Sequence, residues 1–394
     1  MRTYAEIDLD AAASNMREIK KRVTGNTKIM AVVKADAYGH GVLPLSNIFL
    51  ENGADRLAVA FVDEGIQLRR AGITVPILLL GHTCSDDAEQ LLDYDITPTV
   101  FDIKTAQEFS GAAVKKQKKM KIHVKLDTGM TRIGFFCNIN EDTEEIKRQI
   151  LQISALPMLE IEGLFTHFST ADEQDDRYTK RQFTLFCQIA ESLEQAGLHI
   201  PLKHVCNSAG TFLYPEMHLD LVRPGIVLYG LPPSDYMAKQ QLCLKPVMTV
   251  KTVVSQVKEV PKGTFVGYGN TFQTKRPTKI ATVPVGYADG YFRAFSNRAV
   301  MCVGKTFCPV VGRICMDQCM IDVSDVNNIS AGDSVTVFGD AFSAYELAKL
   351  ADTISYELLC AVGKRVPRVY KQNNQVTEVV NPLLFPEGFP TIVH

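Results

Sequence analysis

The stretch VVKADAYGHG, Val32 to Gly41, ends an apolar run on a lysine and follows it with Asp36, Tyr38, His40 and two glycines. Residues 28–33, KIMAVV, have the composition of a fully buried strand. A lysine at its end, Lys34, has fixed backbone behind it and a polar turn ahead, which is how a reactive amine would be mounted. Taken alone it is equally a lysine reaching out to solvent. Other residues of the same chemical bent follow: Lys125 and Asp127 in HVKLDTGMTRIG with Arg132 just beyond, His167 in EGLFTHFSTAD, Asn207 and Ser208 in HVCNSAG, and Arg223 before Pro224 and Gly225. An amine, several cations and an anion seat are the ingredients of Schiff-base chemistry on an anionic carbonyl compound.

The elements that would hold these residues come in a regular rhythm. After an initial strand (4–9) and a helix (11–23), apolar strands at 28–34, 56–61, 76–81, 97–101, 121–127, 159–167, 202–207 and about 219–223 alternate with amphipathic helices. Among the helices are DEGIQLRRAG ended by Gly72, SDDAEQLLDY with Ser85 as N-cap, and a long one closed by Gly197. Eight strand–helix repeats predict a (β/α)8 barrel, and its chemistry belongs at the carboxyl ends of the strands. Lys34, Lys125, Asp127, His167, Asn207, Ser208 and Arg223 all fall at that end. The rhythm stops at LPPSDYMAKQQ, 231–241, which reads as a linker, and β-branched runs interrupted by a single helix pattern, SAYELAKLADTIS, make the rest a mainly β domain.

At 394 residues with 46% hydrophobic and 22% charged residues and a net charge of −2, the chain is an ordinary globular protein with no basic field for nucleic acid. No apolar run reaches the roughly 18 residues needed to span a bilayer and no signal sequence leads the chain, so no membrane partner and a cytoplasmic location are expected. Ten scattered cysteines without a CxxC read as free thiols rather than a metal site or disulfides. GxSxG, HExxH and GxGxxG are all absent. The loops after strands seven and eight are the usual phosphate seat of such barrels, here Ser208 and the N–H groups after Gly225. Pyridoxal 5′-phosphate fits: its phosphate there, its ring nitrogen at Arg223, its aldehyde carbon at Lys34.

These residues resemble the pyridoxal-phosphate alanine racemases across the whole chain. AVVKADAYGHG, KLDTGMTRIG, THFSTAD, NSAGTFL, RPGIVLYG, GYGNTF, PVGYADGY, GRICMDQ and SYELLC occur in the family's order. The resemblance implies a (β/α)8 TIM barrel at 11–235, a β domain at 236–394 joined by residues 1–10, and a homodimer with shared active sites. It implies interconversion of L- and D-alanine, supplying D-alanine for peptidoglycan. Carried over by position, Lys34 binds the cofactor and is one catalytic base, and Tyr268, donated by the partner chain, is the other. Tyr38, Ser208, Gly225, Ile226 and Tyr356 match phosphate contacts, with Asn207 beside them, while Arg223 matches the ring-nitrogen partner and His167 the residue supporting both. Arg132 and Met316 match contacts to the substrate carboxylate, and Asp172, Tyr287, Arg293 and Arg313 line the access corridor. Lys125 matches a lysine that is often carbamylated and then holds Arg132; an ordinary Lys125–Asp127 pair is the alternative. Cys206 and Gly210 depart from the family's usual alanines.

Two bases on opposite faces of a planar carbanion are what racemisation needs, and both require a lowered pKa to work at neutral pH. An arginine at the ring nitrogen keeps its own proton and so gives a shallow electron sink, favouring quick reprotonation. The competing readings are a serine or broad-specificity racemase, which Tyr356 disfavours by crowding, a barrel decarboxylase, which RPGI and GYGN disfavour, and a non-catalytic cofactor-binding protein, against which the β domain with Tyr268 and Tyr356 weighs.

Overall fold

The computed structural model describes residues 1–23, 25–137, 143–240 and 242–384; Gln241 of the expected linker and residues 385–394 of the expected β domain lie outside them. After β1 (Thr3–Asp8), the apolar runs become the parallel strands β2 (Lys28–Val32), β3 (Arg56–Val59), β4 (Ile77–Leu79), β5 (Thr99–Val100) and β6 (Met120–Asp127). A short β7 (Phe135–Phe136) lies beside β6, and β8 (Leu159–Phe165), β9 (Leu202–His204) and β10 (Leu221–Val222) complete the set. They form two parallel arcs, β10-β2-β3-β4 and β5-β6-β8-β9. The arcs meet where Leu79 N–H donates to Thr97 O at 2.9 Å, and again where Asp220 N–H donates to Lys203 O at 3.1 Å. The ring is thus closed into the expected (β/α)8 barrel. Its strands carry continuous apolar runs because both of their faces are buried.

The helices between them form where sequence and packing agree. Leu9–Arg22 is capped by Asp8, which accepts the Ala11 N–H at 2.8 Å, and ends on Lys20, Lys21 and Arg22, the charge that suits a carboxyl terminus. Arg177–Gln195 buries Leu185, Phe186, Ile189 and Leu193 on one stripe and stops before Gly197, at φ +86°. Ser85 is not the expected N-cap. It opens a 3-10 turn, Ser85–Asp87, and the helix proper, Ala88–Asp93, begins where Ala88, Leu91 and Leu92 can reach the core.

Beyond the barrel a seven-stranded sheet runs Thr306–Pro309, Val300–Val303, Ser334–Phe338, Met248–Val253, β1, Arg368–Gln372, Gln375–Val380. The first strand of the chain therefore sits inside it, antiparallel to Met248–Val253 and parallel to Arg368–Gln372. A three-stranded sheet of Gln256–Val260, Thr278–Val283 and Cys319–Asp322 adjoins it in sequence. One apolar core extends from barrel residues such as Ile29 and Leu57 to sheet residues such as Ile7, Val250 and Val335.

Within the expected linker Ser234 caps a turn of helix, Asp235–Ala238, and Met237 is fully buried. One expectation needs correction: the late helix pattern at 343–355 forms only a short helix, Ala344–Lys349, with Asp352 beyond it at a left-handed φ of +53°, and a further helix, Ser355–Cys360, opens at its last residue.

Candidate active site

The mount for Lys34 is more constrained than a polar turn. Val33 closes β2 by donating to Ala58 O at 2.9 Å, and then Ala35, Asp36, Ala37 and Tyr38 all adopt φ between 51° and 53°. Four consecutive left-handed residues, none of them glycine, oppose a chiral preference of roughly 1–2 kcal/mol each. Neighbours impose the turn. Glu64 accepts the Ala35 N–H at 2.6 Å, and Asp36 accepts the Val42 N–H at 2.7 Å. From the β sheet, Arg368 donates twice to Gly39 O at 3.0 and 2.9 Å, and the Tyr370 hydroxyl donates to His40 O at 3.0 Å. Only glycine fits at 41, since a Cβ there would lie 1.8 Å from the Tyr370 hydroxyl. Strain of this kind concentrates where function requires a fixed geometry.

The turn delivers Lys34 into a cavity of about 580 Å³ at the barrel mouth, lined also by Tyr38, Lys125, Arg132, His167, Asp172, Asn207, Ser208, Arg223, Gly225, Ile226 and Tyr356. At one end Gly225 N–H donates to Ser208 Oγ at 2.8 Å, with the Tyr38 ring 5.8 Å from that of Tyr356. A Cβ on Gly225 would sit 2.7 Å from the Tyr38 hydroxyl, so the glycine keeps a polar cradle open. Hydroxyls, a helical start and a bare glycine beside a half-buried amine suit a phosphorylated aldehyde, and the residues fit pyridoxal phosphate. Asn207 acts one step back: its side chain caps helix Ser208–Leu213 by accepting the Gly210 N–H at 3.0 Å. The two departures compensate each other, because a Cβ on Gly210 would lie 3.1 Å from the Cys206 sulfur, space the thiol already uses.

The charges in this cavity are predominantly positive. Burial, then the Arg132 cation, lowers the pKa of Lys34, the direction a base needs. Lys125 is pushed down to about 7 by burial and then by Arg132 and Arg223. His167 is held well below its ordinary value by burial, then by the Arg223 cation, so it is neutral at pH 7. Arg223, lowered to about 10 by burial, keeps its proton. Its guanidinium is fixed by His204 Nδ1 at 2.6 Å, Thr166 O at 2.7 Å and Val205 O at 3.1 Å, with His167 Nδ1 at 3.5 Å. Asp127 does not spend its carboxylate on Lys125. It accepts the backbone N–H groups of Gly129, Met130, Thr131 and Arg132 at 2.9–3.0 Å and so shapes the loop that carries Arg132.

The remaining expected residues lie elsewhere. Tyr268, Tyr287, Arg293, Arg313 and Met316 do not line the cavity; Tyr268 is 71% exposed on a 3-10 turn of the β domain. They gather in one region: a Cβ on Gly269 would be 2.8 Å from Arg313 Nη1, Tyr287 N–H donates to Cys315 O at 3.1 Å, and Ala288 N–H donates to Met316 O at 3.0 Å. Residues 296 and 314, next to Arg293 and Arg313, are tied by Ser296 Oγ accepting the Ile314 N–H at 3.0 Å. Sequence reasoning missed Glu64, His204, Arg368 and Tyr370. The available signal was the alternation of His123, Lys125 and Asp127 along one strand, which marks a polar face turned into the barrel.

A closed parallel barrel with a half-buried lysine at its carboxyl mouth, a polar cradle beside it and a β domain bracing the lysine's turn defines a class of cofactor-dependent barrel enzymes. The alanine racemase N-terminal domain model matches residues 7–233 and the C-terminal domain model residues 247–370. An alanine racemase of Clostridium perfringens is 48% identical over 382 residues, covering 96% of this chain and 97% of its own length. One from Methanococcus maripaludis is 47% identical, covering 93% and 98%. The solved alanine racemase of Clostridium difficile 630 superposes with a TM-score of 0.92 at 40% identity, covering 97% of this chain and 99% of that one. That of Bacillus anthracis with bound L-Ala-P gives 0.90 at 38% identity, covering 97% and 98%. The chain belongs to the alanine racemase family, isomerases of amino acids that depend on pyridoxal phosphate. Among the described residues no helix is long and apolar enough to cross a membrane.

Proposed function

We propose that this chain interconverts L- and D-alanine by a two-base proton transfer between Lys34 and Tyr268, and that a homodimer brings those two residues together. The observation that carries the reading is the half-buried Lys34 amine, lowered in pKa, in one cavity with the Ser208–Gly225 cradle and the anchored Arg223. Bound pyridoxal phosphate supplies the electron withdrawal that makes the substrate's α-proton acidic. Lys34 would hold its aldehyde carbon, Tyr38, Ser208, Gly225, Ile226 and Tyr356 its phosphate, and Arg223 its ring nitrogen, with His167 against the ring.

Arg132 orients the substrate carboxylate, and the Met316 backbone of the partner chain helps it. Lys34 takes or returns the α-proton on one face and Tyr268 on the other. Arg223 cannot accept a proton, so it leaves the ring nitrogen neutral and favours prompt return of the proton. Asp172, with the partner's share of Tyr287, Arg293 and Arg313, borders the access path. Lys125, whose neutral amine is available near pH 7, adds to carbon dioxide and loses a proton; the resulting carbamate accepts hydrogen bonds from Arg132 and holds it. The free thiols of all ten cysteines fit a reducing, cytoplasmic compartment, and the chain's division at 11–235 and 236–394 separates Lys34 from Tyr268.

Relatives support alanine as substrate: the solved Clostridium difficile 630 enzyme has a cycloserine complex and that of Bacillus anthracis binds L-Ala-P. Tyr356 on the cavity wall favours the small methyl group over serine, although a pocket rejects one added hydroxyl only by about 100-fold. The test is circular dichroism of L-alanine with added pyridoxal phosphate, serine and lysine serving as competitors. Decay of the signal to zero is expected, with serine turned over far more slowly. Retention of the alanine signal alongside loss of the serine signal would reverse the assignment.

A further inference from the structure

Arg223 stands at one end of a buried polar chain that crosses the barrel interior. An arginine only donates, so His204 Nδ1, 2.6 Å from Arg223 Nη1, accepts, and the His204 proton resides on Nε2. That N–H donates to His123 Nδ1 at 2.9 Å, which places the His123 proton on Nε2, where it donates to Glu162 Oε2 at 3.1 Å. Glu162 is completed by Arg56 at 2.6 and 3.3 Å and by Lys121 at 3.1 Å, the latter half-exposed beside the amino-terminal end of β6. Both imidazoles are fully buried. Burial holds both below their ordinary pKa and thus neutral. Burial also pushes the Glu162 carboxyl up, but the His123 and Arg56 hydrogen bonds outweigh it and keep the carboxylate ionised. Every proton in the chain points the same way, from Arg223 towards Glu162.

The backbone is shaped to admit this chain. The β6–β8 register shifts between Ile122 and His123, and a Cβ on Gly163 would lie 2.4 Å from His123 Nδ1, so the residue beside Glu162 must be glycine. Barrel interiors are ordinarily filled by branched apolar layers, and an apolar replacement for a buried ion pair is often at least as stable. A connected chain that ends on Arg223 therefore points to a task other than packing. Linked hydrogen bonds polarise one another by roughly 10–30% per bond. The carboxylate strengthens His204 as an acceptor and fixes its tautomer.

We propose that Glu162 is a positioning residue, acting through His123 and His204 to hold the Arg223 guanidinium in register with the cofactor's ring nitrogen from the opposite end of the barrel. This rests on the reading of Arg223 as the ring-nitrogen partner. The experiment uses holoenzyme carrying nitrogen-15 histidine and nitrogen-15 pyridoxal phosphate. In the unmutated protein His123 and His204 should each show one tautomer, protonated on Nε2. Glu162→Gln should mix or shift both, move the ring-nitrogen resonance, and lower kcat on the order of 10-fold with KM for alanine nearly unchanged, as for outer partners of other sites. His123→Gln, which leaves the Arg56–Glu162 pair intact, should move His204 and the ring nitrogen the same way, and the double variant should be no worse than either single one. Unchanged His204 resonances in Glu162→Gln, or kcat losses that multiply in the double variant, would overturn the proposal. If Glu162→Gln does not fold, His123→Gln decides through the ring nitrogen and kcat. Arg223→Lys separates the two ideas: a ring nitrogen indifferent to it defeats the reading of Arg223, while the His204 resonances still decide whether Glu162 reaches that far.

Discussion

Two regions of this molecule carry residues of similar chemistry in opposite states of enclosure. At the barrel mouth Lys34 sits on a forced left-handed turn, Arg223 is held by three firm acceptors, and Asp127 gathers four loop amides. On the β domain Tyr268 is 71% exposed, Met316 53% and Tyr287 42%, and backbone hydrogen bonds tie the segment of Tyr287 to that of Met316. The first region has its geometry settled within one chain. The second presents aromatic and cationic groups outward in a fixed frame, as a surface does when a further body completes it. The β domain takes part in both. Arg368, Tyr370 and Tyr356 serve the cavity of their own chain, whereas Tyr268 serves none within it.

The contrast predicts a graded series of responses. Lys34→Ala should abolish racemisation and the absorption band of lysine-bound cofactor together; an unchanged band in that variant would move the attachment to another lysine. Tyr268→Phe should lower turnover by about 10²–10⁴-fold, the range for loss of one general base. Solvent deuterium wash-in should then fall unequally for the two enantiomers, and equal residual exchange would point to one base or to water. Lys125 should respond to pH in a defined direction. Its amine, lowered to about 7, is protonated and unreactive below that pH, so a carbamate signal from carbon-13 bicarbonate should grow as pH rises through about 7 and vanish below it. A signal independent of pH, or none, would leave Arg132 held by something else. The smallest effect concerns packing near the cradle. Cys206→Ala combined with Gly210→Ala should melt above Gly210→Ala alone, since removing the sulfur admits the methyl that would otherwise press on it at 3.1 Å. Equal melting temperatures would show that the two positions do not compete.

The barrel was readable because buried parallel strands are written as apolar runs, and the residues ending those runs converge on one mouth by topology alone. Lys34, Lys125, His167, Ser208 and Arg223 came from that logic, while Tyr268 and Met316 came from motif resemblance. What stayed hidden has a common cause. In Ala-Asp-Ala-Tyr only Asp36 tolerates a positive φ readily; the turn is imposed by Glu64 and Arg368, and the latter follows 329 residues after the carbonyl it holds. Ser85 and the 343–355 pattern depart from expectation because capping and helix breaking depend on where the core lies. Glu162 is invisible to pattern reasoning, since it alternates with Glu160 along β8 and gains its meaning only from His123 beside it.

The central claim is that a catalytic centre here is assembled from the barrel of one chain and the β domain of another. Lys34→Ala and Tyr268→Ala, each inactive alone, test it when mixed under conditions of demonstrated subunit exchange. Random pairing should regenerate roughly one intact site in four, so activity should return towards a quarter of that of the unmutated protein. Exchange without any return of activity would mean that each site is contained in a single chain.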